Sequence, residues 1–148
     1  MNGLHIRKFL VSPVIACVAA YFWLAIGAPQ LSQAQVLGLA PTAASVHITQ
    51  GPAIESVVDG LAIIRWTSNN PGGTAEHFGV VHYGTTAANL DQTAKSHIQL
   101  NQTHPDTVFR VRVDGLKPKT KYYYSVGSMG GNGKVDPVKS EIYHFTTP

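Results

Sequence analysis

The sequence predicts an all-β protein: a seven-stranded antiparallel Greek-key β-sandwich behind an N-terminal signal or anchor segment. Three observations carry this expectation. From Val46 onward, short apolar runs alternate with clusters of turn residues, the spacing that an all-β sandwich requires. No window in that region holds a 3.6-residue apolar period over three turns, which a surface helix would need. The first 34 residues, by contrast, are dominated by one long apolar stretch.

That stretch predicts export. Arg7 and Lys8 precede an almost continuous apolar run from Phe9 to Ala28, and Ser32-Gln33-Ala34 places small residues where a signal peptidase reads them. Three readings fit: cleavage after Ala34, retention of residues 9–28 as a membrane anchor of about 20 residues, or lipidation at Cys17, because Val14-Ile15-Ala16-Cys17 resembles a bacterial lipobox. A lipobox normally ends the apolar stretch, whereas here Val18 to Ala28 continues it. All three place the rest of the chain outside the cytoplasm, secreted or periplasmic, touching a membrane only through this segment. The expected organisation is residues 1–34 as signal or anchor, 35–45 as a linker of Ala, Pro, Gly and Thr, and 46–148 as the domain.

Composition limits the chemistry. At 44% hydrophobic and 13% charged, 148 residues suffice for one globular core. The formal charge of +3 includes Arg7 and Lys8; without them nine basic residues face eight acidic ones. So balanced a surface offers no footprint for nucleic acid, which demands a basic face able to displace counterions from many phosphates. Cys17 is the single cysteine, so past the signal no disulfide, cysteine nucleophile or cysteine-based metal site can form. The sandwich must be held by its core.

The expected strands follow in order. Val46 to Thr49 alternates and is expected to end at Gly51-Pro52. Leu61 to Ser68 is the strongest run and stops at Asn69-Asn70-Pro71-Gly72-Gly73. Phe78 to Tyr83 ends at Gly84, and a weak run covers Lys95 to Leu100. Thr107 to Val113 sets Phe109, Val111 and Val113 on one face and Arg110 and Arg112 on the other. Lys121 to Ser128 ends in Gly130-Gly131-Asn132-Gly133, and Glu141 to Thr147 closes the domain. Between the fifth and sixth strands, Leu116-Lys117-Pro118-Lys119-Thr120-Lys121-Tyr122 predicts a tyrosine corner, with the Tyr122 ring inward and its hydroxyl bound to a backbone group a few residues upstream. Leu116 would fill the core beneath it, and Trp66 would be the second anchor.

These residues also carry a resemblance. Gln50-Gly51-Pro52, Ile64-Arg65-Trp66-Thr67, Tyr83-Gly84-Thr85, the stretch Leu116 to Tyr124 and Phe145-Thr146-Thr147-Pro148 together resemble the fibronectin type III-like N-terminal domain of purple acid phosphatases, over roughly Val46 to Pro148. The resemblance implies a fibronectin type III, immunoglobulin-like sandwich. In those enzymes a separate domain binds two metals through Gly-Asp-x-Gly and Gly-Asn-His-Glu blocks, and this sequence contains neither. No catalytic residue carries over. Two functions therefore stand as expectations: a non-catalytic extracytoplasmic module for binding, adhesion or spacing, or a fragment or relative of a purple acid phosphatase lacking its metal-dependent phosphomonoesterase domain.

The histidines are the side chains best able to form a site. His47, His77, His82, His97, His104 and His144 are scattered, without the close spacing of zinc motifs, and each is expected as an exposed strand or loop residue. No metal, cofactor or catalytic residue is expected. No serine, histidine and acid show a hydrolase pattern in sequence. The glycine-rich Gly130 to Lys134 precedes a strand rather than a helix, so it is expected to be a hairpin loop and not a phosphate cradle. Lys117, Lys119 and Lys121 read as a solvated rim. Asn101-Gln102-Thr103 fits a glycosylation sequon. One grouping stands out. If Val81, Tyr83, Tyr122, Tyr124, Tyr143 and Phe145 point inward, alternation turns His82, Tyr123 and His144 outward on one sheet, two histidines flanking a tyrosine. That face is the expected contact for a partner, protein or polysaccharide.

Overall fold

The computed structural model describes residue 43, residues 45–100 and residues 102–148. The signal, anchor and lipidation readings and the Asn101 acceptor lie outside them. The described residues build eight strands: β1 (Ile48–Val58), β2 (Leu61–Asn69), β3 (Glu76–Gly84), β4 (Gln92–Gln99), β5 (Asp106–Val113), β6 (Lys121–Gly130), β7 (Val135–Lys139) and β8 (Tyr143–Thr146). They pair antiparallel throughout. One sheet runs β1-β2-β5; the other runs β4-β3-β6-β7, with β8 also on β6.

Two expected boundaries are corrected. The first strand does not end at Gly51-Pro52 but continues to Val58, through register irregularities on either side of that pair. Its true end is a two-residue turn in which Asp59 (φ 42°) and Gly60 (φ 79°) are both left-handed. That is the conformation whose twist matches two antiparallel strands, and glycine adopts it at little cost. The expected seventh strand, Glu141 to Thr147, is β8 (Tyr143–Thr146), and β7 (Val135–Lys139) is an eighth strand that was not expected. β7 and β8 occupy successive lengths of the same flank of β6, Lys139 opposite Gly127 and Phe145 opposite Tyr122. Ser140, in the break between them, keeps both bonds to Val126: its N–H donates to the Val126 carbonyl, and its Oγ accepts the Val126 N–H.

Alternation fills the space between the sheets. Ala62, Ile64 and Trp66 of β2 and Phe109, Val111 and Val113 of β5 face Val81, Tyr83, Tyr122, Tyr124, Val126 and Phe145 of the other sheet. Each large side chain removed from water here stabilises the fold by about 1.5–3 kcal/mol. Trp66 stacks on Phe109 with ring centroids 5.2 Å apart. Opposite them β3 carries Gly79, because a Cβ there would stand 2.7 Å from Val111 Cγ2 and 3.1 Å from Trp66 Cη2.

The tyrosine corner forms as expected. Tyr122 is buried, and its hydroxyl oxygen accepts the Lys117 N–H at 3.0 Å. Thr147 closes the corner from the other side: its hydroxyl donates to the Lys117 carbonyl at 2.6 Å and accepts the Thr120 N–H at 2.9 Å. Leu116 is buried beneath it. Gly84 of the Tyr-Gly-Thr element has its own steric reason, since a Cβ there would collide with the Asn89 carbonyl oxygen.

Candidate functional site

Two places gather chemically capable side chains. The first is one end of the sandwich, where the core turns polar. His77 on β3 and Ser128 on β6 both point inward, at 2% and 3% exposure. Asp136 reaches them because β7 is irregular: between the pairs Gly127–Lys139 and Met129–Val135 it holds extra residues, Pro137 among them. His77 Nδ1 donates to the Thr74 carbonyl at 2.8 Å, which fixes the proton on that nitrogen in the neutral ring. Its Nε2 stands 3.9 Å from Asp136 Oδ2, and the Ser128 hydroxyl donates to that same oxygen. Beside them opens a pocket of about 370 Å³ rimmed by Gly72, Gly73, Asn132 and Lys134.

A serine, a histidine and an aspartate thus meet, as the sequence spacing did not foretell. His77 also corrects the expectation that every histidine would be exposed. The order, however, is wrong for nucleophilic catalysis. An activated serine gives its proton to the imidazole, and the acid orients the far side of that ring. Here the carboxylate lies between the other two, so nothing withdraws a proton from Ser128. The cluster holds the end of β7 onto β3 and β6. The glycine-rich segment after β6 forms a turn onto β7, as expected, with its Gly131 N–H spent on the Glu76 carbonyl.

The second place is the outer face of the five-stranded sheet. His82, Tyr123 and His144 are all on it, but the structure does not set the tyrosine between the two histidines. Tyr123 pairs across the ladder with His144, ring centroids 6.0 Å apart, and Lys121 Nζ lies 5.1 Å over the Tyr123 ring. His82 pairs instead with Ser125 and leans away, its Nδ1 hydrogen-bonded to Thr93 Oγ1 of β4 at 3.1 Å. Of the residues expected inward, Val81, Tyr83, Tyr122, Tyr124 and Phe145 are buried, whereas Tyr143 is 40% exposed because β8 lies at the sheet's margin.

His82 belongs to a groove that sequence reasoning missed. One cross-strand row runs Lys95 (β4), Val80 (β3), Gly127 (β6), Lys139 (β7). Gly127 leaves a dent in this row, and the groove above it measures about 220 Å³, lined also by His82, Thr93 and Met129. Val80 faces outward yet is only 6% exposed, so the groove has an apolar floor. Burial, followed by the charges of Lys139 and Lys95, holds His82 below the usual imidazole pKa. No signal in the sequence could have found it: Lys95, Val80, Gly127 and Lys139 become one row only once register is known, and register is not legible in an isolated strand.

The two-metal chemistry of the resembled phosphatases finds no donor set in the sandwich. Among the described residues no three histidines, cysteines or acids converge, and His77 and Asp136 are already engaged with Thr74 and Ser128.

A family model described as "Purple acid Phosphatase, N-terminal domain" matches residues 54–147, well over half the chain. The chain belongs to that family. A purple acid phosphatase N-terminal domain is therefore what β1 to β8 build, and no catalytic domain is evident in the 148 residues. No curated protein matches the chain. Among solved structures, the sensor domain of the anti-sigma factor RsgI4 in Pseudobacteroides cellulosolvens is similar in its short form, at 20% identity and a TM-score of 0.48, covering 72% of this chain and 97% of that one. Its long form gives 18% identity and a TM-score of 0.46, covering 69% and 88%. Wild-type OgpA from Akkermansia muciniphila gives 17% identity and a TM-score of 0.38, covering 72% and 28%.

Proposed function

We propose that this purple acid phosphatase N-terminal-type domain is a non-catalytic binding module of an exported protein, and that it meets its partner with the outer face of the β4-β3-β6-β7/β8 sheet. The supporting observation is the juxtaposition, on that one face, of a groove over Gly127 and the Tyr123–His144 ring pair. A tilted tyrosine–histidine ring pair on a sheet face gives an extended partner apolar contact with polar handles at its margin. The polar end cluster, in contrast, is consumed in structural bonds. Secretion or anchoring through residues 1–34 belongs to the same reading. The test is retention of the full chain on polysaccharides, alongside His82→Ala and Tyr123→Ala. Retention that both substitutions leave untouched sinks the assignment of this face.

The family match favours a second reading, in which the domain is a fragment or relative of a purple acid phosphatase. A generic phosphomonoester assayed with iron, zinc and manganese separates the two. The binding-module reading expects no turnover with any metal. Metal-dependent turnover lost on replacing His77 or Asp136 would overturn it.

A further inference from the structure

The groove over Gly127 has a charge pattern that selects its ligand. Lys95 and Lys139 stand at its opposite sides, three strand spacings apart in one row, roughly 14 Å between backbones. That is a gap two four-carbon lysine stems can close over from both sides. Neither lysine has a carboxylate partner among the described residues, where the charged pairs are Arg110–Glu55, Arg112–Asp114, His97–Glu76 and His77–Asp136. The one acid bordering the groove, Asp136, has its Oδ2 engaged by Ser128. Two cations without an ion-pair partner, offset only in part by Asp136, thus face each other over an apolar floor of Val80 and Met129, with Thr93 and His82 as hydrogen-bonding flanks.

We propose that this groove binds a carboxylate-bearing sugar of an acidic polysaccharide, its carboxylate held between Lys95 and Lys139 and its ring lying on Val80, Gly127 and Met129. The inference rests on the reading that this face is the binding surface, and it names the ligand class. A polymer fits better than a lone anion because Tyr123 lies four residues along β6 from Gly127, about 13 Å, on the same face. A glycan fits better than an acidic peptide because the ladder bonds of β3 and β6 are already made. A peptide laid across them would leave its own N–H and C=O groups unpaired, since strand addition works only at a free edge. A sugar brings hydroxyls that Thr93 and His82 can answer.

The experiment uses the full 148-residue chain and three soluble polymers: polygalacturonate, neutral dextran and poly-L-glutamate. Polygalacturonate is expected to bind. Lys95→Gln and Lys139→Gln should each weaken it about three- to five-fold, as for an exposed ion pair, while Lys117→Gln at the distant corner should not. In the complex the His82 pKa, followed by NMR, should rise, because an anion beside it offsets the two lysines. Poly-L-glutamate binding equally tightly with the same lysine dependence would overturn the assignment to a glycan. Dextran binding that ignores both lysines but needs Tyr123 would overturn the anionic class and leave the face reading intact. Absence of binding by all three polymers overturns both.

Discussion

The Ser128 hydroxyl donates its hydrogen bond to Asp136 Oδ2 and not to His77. That single choice of acceptor separates a structural cluster from a hydrolytic one. Ser128→Ala should therefore cost stability, about 1–2 kcal/mol for stripping a partly buried carboxylate of its donor, as read by the urea midpoint. A serine-directed phosphonate should leave the intact mass of the chain unchanged. Labelling at Ser128 would show that the proton moves to His77 after all.

Tyr122 carries the corner through one bond. Tyr122→Phe keeps the ring between Tyr83 and Phe145 but removes the acceptor of the Lys117 N–H. The expected loss is about 1–2 kcal/mol, with an unchanged denaturant slope because the exposed area on unfolding stays the same.

Gly79 is a packing requirement and not a turn residue. Gly79→Ala should destabilise by about 1–3 kcal/mol through overpacking against Val111 and Trp66. Val111→Ala removes the methyl that collides. The double variant should therefore be more stable than the sum of the two single losses predicts, a coupling that a double-mutant cycle measures directly.

Burial, and next to it Tyr143, pushes the Tyr124 phenol up to about 12, against about 10 in an unfolded chain. The raised value means that the folded state favours the neutral phenol. Its contribution is fully present below about pH 10 and disappears as pH climbs through the folded value of about 12. Urea midpoints should fall over that window. Tyr124→Phe should fall less steeply.

His82 gives the opposite flank. Its depressed pKa, caused first by burial and then by Lys139 and Lys95, means that the unfolded chain takes up this proton more readily. The stability it contributes is present above about pH 6.5 and is lost as pH falls through the folded value. Thr93 and Asp136 are the other polar groups around it, and an acid offsets the lysines only in part. Lys139→Gln should raise the His82 pKa in an NMR titration. His82→Gln should flatten the acid limb of the stability curve.

The sequence disclosed what local pattern controls. Alternation in Thr107 to Val113 and the Leu116 to Tyr122 corner sufficed for β5, β6 and the packing between sheets. The end of β1 was legible as well: Asp59-Gly60 between Val58 and Leu61 is a strong hairpin signal, outweighed by Gly51-Pro52, which sits inside the strand. β7 was hidden because Pro137 within Val135–Lys139 argues against a central strand. It is an irregular flank strand, where proline is tolerated. For the site, alternation placed His82, Tyr123 and His144 on one face, as found. It did not reveal that His82 is offset by two residue pairs from Tyr123, nor that Lys95 and Lys139 share a row with Gly127. Those are relations between strands distant in sequence.

The irregularities of β1 and the Pro137 break in β7 have a colloidal consequence. Both are margins of their sheets, and both interrupt the even row of N–H and C=O groups on which another chain could template itself. Two other margins present Lys95 and His97 on β4 and Arg110 and Arg112 on β5, charged or polar side chains that resist edge-to-edge growth. Irregular or charged margins of this kind work against the edge-to-edge growth by which β domains form fibres.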